Sequence, residues 1–346
     1  MKRWMITAAL ALAAAGGAAI PGTAQASSTA WRQVYQANAS GSFFQTAAIG
    51  SRDIWSVGDT ETKAGKTIYQ PFVRHFNGSS WQAITIPRSS GSTADWVQAS
   101  SASNVWVGGV KSGSTAITVV YRWNGARWSK IPVPAQTYLQ GVDVLGPDNV
   151  WAFGDSGTVA FDVFHWNGSK WQHYLPDNID FIPQDITASA PNDVWLSGFA
   201  YSGSKKQVVA AYRWNGTAWH AVSMPHPALN DGGPNVTAVS SANVWIGWYD
   251  TTTSHVLHWN GRTWQAVRLS GLADPIDIVP DGKGGYWFGP LAILTGSTWT
   301  TEDLPGFSGD YGGLTRIPGT TSALLNAGVG GSSSSSVKPT IFRFDL

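Results

Sequence analysis

Two short signatures alternate along this chain, and together they restrict it to a ring of similar β-sheet units. The first, Asx-Val-Trp with a glycine shortly after, occurs at Asp53-Ile54-Trp55, Asn104-Val105-Trp106, Asn149-Val150-Trp151, Asp193-Val194-Trp195 and Asn243-Val244-Trp245. A degenerate copy sits at Tyr286-Trp287, and a worn one at Leu324-Leu325, where Gly328 keeps the glycine three residues on. The second, aromatic-Asn-Gly-x-x-Trp, ends at Trp81, Trp128, Trp171, Trp219 and Trp264, and is shortened to Thr295-Gly296-Ser297-Thr298-Trp299.

Asn-Gly between alternating apolar residues predicts a type I′ hairpin turn, which needs two positive-φ residues. It is read as the turn between the third and fourth strands of a unit. The Asx before Val-Trp follows a Ser/Ala/Pro-rich turn, is expected to cap it through its side chain, and opens the second strand. Runs such as Asp185-Ile186-Thr187-Ala188 precede it as the innermost strand, their small residues suiting crowding at an axis. Four strands per unit of about 45 residues is the period of a propeller. From each outer Trp to the next inner one, ending at Leu325, the steps are 24, 25, 23, 24, 26, 23 and 26 residues, so the variation is confined to the loop between strands two and three. The expected fold is therefore all-β, a seven-bladed β-propeller of four-stranded antiparallel blades.

The ends of the repeat array make a sharper prediction. An unpartnered outer strand, Trp31-Arg32-Gln33-Val34, comes first, and Ile341-Phe342-Arg343-Phe344-Asp345 matches a third strand cut off at its turn. Each supplies what the other lacks. Pairing of the N-terminal and C-terminal strands completes the seventh blade and removes open sheet edges, which are sites of aggregation.

Of the 20 tryptophans, 17 fall in repeat columns: seven outer, six inner and four beside the Asn-Gly turn. A residue recurring at one position in every blade is read as core between blades. Trp4 belongs to the leader, leaving Trp96 and Trp248 outside the pattern. With Phe44, Tyr138, Phe181 and Tyr311 they fall in connections on one face, where they are read as an aromatic-lined binding mouth. A lectin-like role on glycans or cell wall, through Trp96, Trp248 and Tyr311, is the alternative to a protein partner.

Residues 1–26 read as a secretory signal: Lys2 and Arg3, an Ala/Leu-rich stretch, then Ala24-Gln25-Ala26 as a small-x-small cleavage site. The expectation is a secreted, extracellular protein, with residues 27–346 as a single propeller domain and no membrane anchor. Without Lys2 and Arg3 the 22 basic residues become 20, against 21 acidic, and no basic cluster remains, which argues against nucleic acid. There is no cysteine, so stability rests on core burial and thiolate metal sites are excluded.

Catalytic patterns are missing. Only Glu61 and Glu302 are glutamates, and no nucleophile elbow or P-loop occurs. Arg74, Arg122, Arg213 and Arg343 are read as one repeat column with His75, His165 and His258, a structural row in different blades that converges on no metal. Inner-strand Gln98, Asp143, Asp185, Asp277 and Arg316 are placed along the channel, where the aspartates hold water rather than calcium. No metal, cofactor or enzymatic activity is expected; a hydrolase or lyase using Asp143 or Asp185 is the remaining alternative. Asn77, Asn167 and Asn215 match a glycosylation sequon that the hairpin already explains.

The Gly296-Ser297-Thr298-Trp299 turn looks like the Asp-box hairpin of sialidase-type propellers, without their catalytic set. Over the whole mature length the chain resembles the dispase autolysis-inducing proteins of filamentous soil bacteria, in leader, absence of cysteine, size, Trp-rich blades and joined ends. That resemblance implies a non-enzymatic extracellular protein that binds neutral metalloproteases, promotes their self-digestion and donates glutamine to transglutaminase; a monomer is expected separately, because a closed ring needs no partner to finish its sheets. Cross-linking needs an exposed, mobile carboxamide, and Gln36, Gln70, Gln136, Gln140 and Gln207 lie in predicted loops or near strand ends. Gln82, Gln172 and Gln265 follow an outer Trp and rank lower.

Overall fold

The computed structural model describes residues 31–345, apart from 64–66, 88, 90, 112–116, 135–136, 156–160, 175–180, 203–205, 226–232, 250–253, 270–276, 290–291, 303, 305–306 and 331–336. The leader reading at 1–26 and Gln136 lie outside the described residues. Seven four-stranded antiparallel sheets form a β-propeller. Blade one runs outward from the axis as Gly41–Gly50, Asp53–Lys63, Thr67–Phe76 and Trp81–Ile84. Blades two to six span Trp96–Ile131, Tyr138–His173, Phe181–Val222, Asn235–Val267 and Ile278–Thr301. The lower face carries the first-to-second and third-to-fourth strand turns. The upper face carries the second-to-third loops and the connections between blades.

Blade seven contains both ends of the array. Its strands are Phe307–Arg316, Ser322–Val329, Lys338–Asp345 and finally Trp31–Gln36. Trp31 lies opposite Phe344, Arg32 opposite Arg343 and Gln33 opposite Phe342; after a bulge, Tyr35 faces Ile341 and Gln36 faces Thr340. Ala37 continues the pairing, its N–H donating to the Pro339 carbonyl at 2.9 Å. At the lower end the Arg32 guanidinium meets Asp345 at 3.0 Å.

Most seams follow one rule. In blades one, three and four the inner Trp inserts edge-on against the outer aromatic of the next, Trp55 on Trp128 (5.8 Å, 83°), Trp151 on Trp219 (5.6 Å, 84°) and Trp195 on Trp264 (6.0 Å, 87°), while Trp245 of blade five meets Phe288 at 5.6 Å. Trp287 meets Trp31 at 5.5 Å, so the N-terminal strand receives its neighbour as any outer strand does. Trp106 and Trp195 are fully buried. By area each indole contributes about 4–6 kcal/mol, an upper bound against an extended chain.

Local chemistry departs from expectation in four places. The Asn-Gly hairpins are not two-residue turns: Phe76 pairs with Trp81, leaving four residues between them. Gly78 has the positive φ (95°), while the Asn77 Oδ1 accepts the N–H groups of Ser79 and Ser80, both at 3.0 Å. Asn is thus the loop's cap. Two residues span the shortened turn of blade six, where Thr295 pairs with Thr298.

The Asx of the other signature does bridge the preceding turn, Asn104 Nδ2 donating to Ser100 Oγ at 2.7 Å and Asp193 Oδ2 accepting from Ser189 Oγ, but its other oxygen is turned along the second strand. Side chains two apart on a strand share a face, so Asn104 Oδ1 accepts the Trp106 indole N–H at 3.0 Å and the Arg122 Nε–H at 2.8 Å. Asp193 does the same for Trp195 (3.1 Å) and Arg213 (2.6 Å). Arg74 leaves the expected column, pairing with Ser56 on the other face and donating to the Tyr35 hydroxyl at 2.7 Å. Finally, the worn copy centres on Leu324 rather than Leu325. Leu324 faces Arg343, as Trp55 faces His75, and packs on blade one, whereas Leu325 packs backward against Trp31 and Trp287.

Candidate functional site

The upper face collects apolar surface that the seams do not cover. Among the described residues, four large hydrophobics are exposed: Ile117 (41%), Tyr138 (36%), Tyr201 (41%) and Val239 (42%). The first three lie at upper strand ends. Ile117 opens the third strand of blade two, Tyr138 the first strand of blade three, and Tyr201 stands near the end of the second strand of blade four.

Ile117 borders a crevice of about 400 Å³ between the outer half of blade two and the connection leaving it, lined also by Ile131, Pro132, Val133 and Pro134. The backbone explains its position. Prolines cannot extend the outer strand's ladder, so the chain leaves the sheet at Ile131 and turns inward, with the Thr137 N–H on the Pro134 carbonyl at 3.2 Å. Thr118 pins this connection from both sides: its N–H donates to the Thr137 carbonyl (3.4 Å), and its Oγ1 accepts the Leu139 N–H (2.9 Å). Tyr138, between those two anchors, is held at the rim. Lys130 is the one basic residue in the lining.

The aromatic mouth expected on this face is corrected in part. Trp96 packs in the blade two–three core beside Trp106. Trp248 is buried between blades four and five and stacks on His255 at 5.0 Å. Phe181 is buried against Tyr212 at 4.8 Å. These three are seam residues, which removes Trp96 and Trp248 as sugar platforms. Phe44 and Tyr311 are half-buried, and Tyr138 alone of the six is exposed. The signal missed in the sequence was apolar but not aromatic: Ile117 after a Gly/Ser loop, and Pro132-Val133-Pro134 after an outer strand.

Of the glutamines, Gln140 is exposed at a bulge two residues from Tyr138. Gln207 is half-buried, its amide donating to the Tyr201 hydroxyl at 3.3 Å. Gln36 bonds Thr340 at 3.2 Å within the closing sheet, and Gln70 is half-buried opposite Thr60. Gln82 and Gln265 are exposed on outer strands.

The channel carboxylates clasp the next blade. Asp185 Oδ2 accepts the Val236 N–H (2.8 Å), Asp143 Oδ2 that of Ala188 (2.5 Å), and Asp277 Oδ2 that of Leu314 (2.9 Å). Gln45, unremarked in the sequence, does the same for Val97 at 2.9 Å. Gln98 is half-buried, and Arg316 turns to the Thr320 carbonyl at 3.2 Å. Burial pushes the Asp143 carboxyl up to about 6 against the pull of its backbone N–H bonds. Burial also drives Asp185 up to about 7, offset by the Val236 and Ile186 N–H groups and helped by the charges of Asp143 and Asp277. Among the described residues no group of three or more His, Asp or Glu side chains is arranged to hold a metal ion.

No family model matches the sequence, and no curated protein does. Among solved structures, the chain is similar to YCF48 bound to D1 peptide, at 13% identity and a TM-score of 0.59, covering 94% of this chain and 100% of that one. It is also similar to YCF48 from Cyanidioschyzon merolae, at 14% identity and 0.56, covering 92% and 99%. At these identities the likeness is one of fold.

Proposed function

We propose that this chain is a secreted, non-enzymatic propeller that binds other proteins through its upper face. The observation that carries the reading is the gathering of Ile117, Tyr138 and Tyr201 at upper strand ends, two of them beside a ready-made crevice. Aromatic and aliphatic anchors next to a pocket are what a protein interface uses for most of its affinity. The YCF48 structure with a D1 peptide supports the choice of a peptide-bearing partner for this fold.

The finer reading is that the protein is a monomer, that the partners are extracellular neutral metalloproteases, and that engagement promotes their self-digestion. Gln140, exposed beside Tyr138, is the glutamine offered to transglutaminase. Two features favour coexistence with a protease: short outer strands and closed seams leave little backbone that opens locally. Incubating the purified protein with a thermolysin-like protease and following protease fragments over time tests this. Faster fragmentation is expected, lost in Tyr138→Ala and Ile117→Ser at an unchanged melting temperature. An unchanged autolysis rate with the wild-type protein refutes the protease reading.

A further inference from the structure

Comparing the seams shows one that the chain leaves unfilled. Beneath the inner Trp of blades one to five, on the lower face, lies a space bounded by the Asx acceptor and the third-strand residue opposite the Trp. In blades two and four that residue is arginine. Arg122 and Arg213 bond Asn104 and Asp193, with their guanidinium carbons 5.9 and 5.3 Å from the Trp106 and Trp195 rings. In blades three and five it is the shorter histidine, and a tyrosine makes up the volume. Tyr174 packs on Trp151 (5.2 Å) and His165 (5.5 Å). Tyr286 reaches in from blade six, 4.4 Å from Trp245, its hydroxyl accepting from the Asn243 amide at 2.6 Å.

Blade one has the histidine and no tyrosine. His75 stacks on Trp55 at 4.1 Å. The position of Tyr174, three residues after the outer Trp, is Ile84, and the position of Tyr286 is Val105 of blade two. The result is a crevice of about 380 Å³ lined by Asp53, His75, Gln82 and the indoles of Trp55, Trp123 and Trp128. Its polar end is acidic. Asp53 Oδ1 takes both the Trp55 indole N–H (2.9 Å) and the His75 Nε2 contact (2.8 Å), so Oδ2 takes neither. No lysine or arginine lines the crevice. The two histidine seams that hold a tyrosine have a neutral Asn in place of this carboxylate.

We infer that this seam is a binding pocket for a guanidinium, an arginine side chain of an extended peptide entering from the lower face. The occupant's chemistry is read from the molecule's own: a carboxylate acceptor beside an indole face is where Arg213 sits in blade four, and a planar cation between aromatic walls suits the blade-one geometry. The pocket lies on the opposite face from the crevice of Ile117 and Tyr138 and stands independently of that reading.

The test uses N-acetyl-arginine amide, with N-acetyl-citrulline amide and neutral monosaccharides as comparisons, titrated against the full protein by NMR of the indole N–H resonances. Saturable shifts of the Trp55, Trp123 and Trp128 signals by the arginine compound are expected, at least tenfold weaker with citrulline. His75→Arg, which gives blade one its own guanidinium, and Ile84→Tyr, which copies Tyr174, should each abolish the shifts without lowering the melting temperature. The inference is overturned if the arginine compound produces no saturable shift, if both filled-in variants respond like the wild type, or if a monosaccharide binds as tightly.

Discussion

Asn104 makes three hydrogen bonds from one buried side chain: to Trp106, to Arg122 and, through its amide, to Ser100 Oγ at 2.7 Å. Asn104→Ala strands a buried indole N–H and a half-buried guanidinium, at a cost of about 3 kcal/mol in denaturant unfolding. Asn104→Asp keeps the acceptor and should stay near wild type, since Asp193 occupies the same position beside Arg213. A second residue-scale prediction concerns pH. Asp185 holds its proton up to about pH 7 when folded, whereas unfolded aspartate releases it near pH 3.9. The folded state thus binds more protons in between, and stability falls as pH rises from about 4 to about 7. Melting temperature should climb on acidification from pH 8 to 5, and Asp185→Asn should flatten that slope. An equal slope in the variant assigns the effect elsewhere.

Within a blade, the hairpin and the seam separate what was legible from what was not. Repeat spacing set the number of blades and of strands in each, because apolar alternation and Asn-Gly are local signals, but not the strand bounds: Phe44, Trp96, Tyr138, Phe181, Trp248 and Tyr311, expected in connections, lie within strands. It placed the inner tryptophans between blades for the same reason, since recurrence at one position implies one environment. The partner of each Asx was hidden, because the second donor comes from a strand about 15–22 residues away, while the turn beside it offered a plausible local bond. Phe181, Trp96 and Trp248 were misplaced at strand ends, where whether a ring turns into the seam or toward solvent depends on neighbouring blades. Two element-scale outcomes follow. Trp195→Ala empties the seam between blades four and five and should cost about 3–5 kcal/mol. Asn124→Ala removes only an exposed loop cap and should cost about 1 kcal/mol. Thermal denaturation of the pair checks the ranking.

Taken as a whole, the ring has one seam made differently from those that carry an inner Trp. Between blades seven and one, Leu324 stands where an inner Trp would be and packs near Phe76 and Trp81. Polar bonds complement it: Thr46 Oγ1 donates to Asn326 Oδ1 at 2.9 Å, and Thr315 Oγ1 to the Thr46 carbonyl at 2.8 Å. The strand that completes blade seven also touches blade one, through Tyr35 against Trp81 (5.6 Å) and under Arg74. The crevice at Trp55 is itself a seam, formed by blades one and two together. The direct measurement is the double variant Arg32→Cys/Arg343→Cys, placed in a chain without cysteine at two residues facing each other across the closing pair. Mild oxidation should yield an intramolecular disulfide that raises the melting temperature until reductant is added, with a chain-entropy ceiling of about 6 kcal/mol for so long a loop. Thiols that stay free, or that join separate molecules instead, would contradict closure by the chain's own two ends.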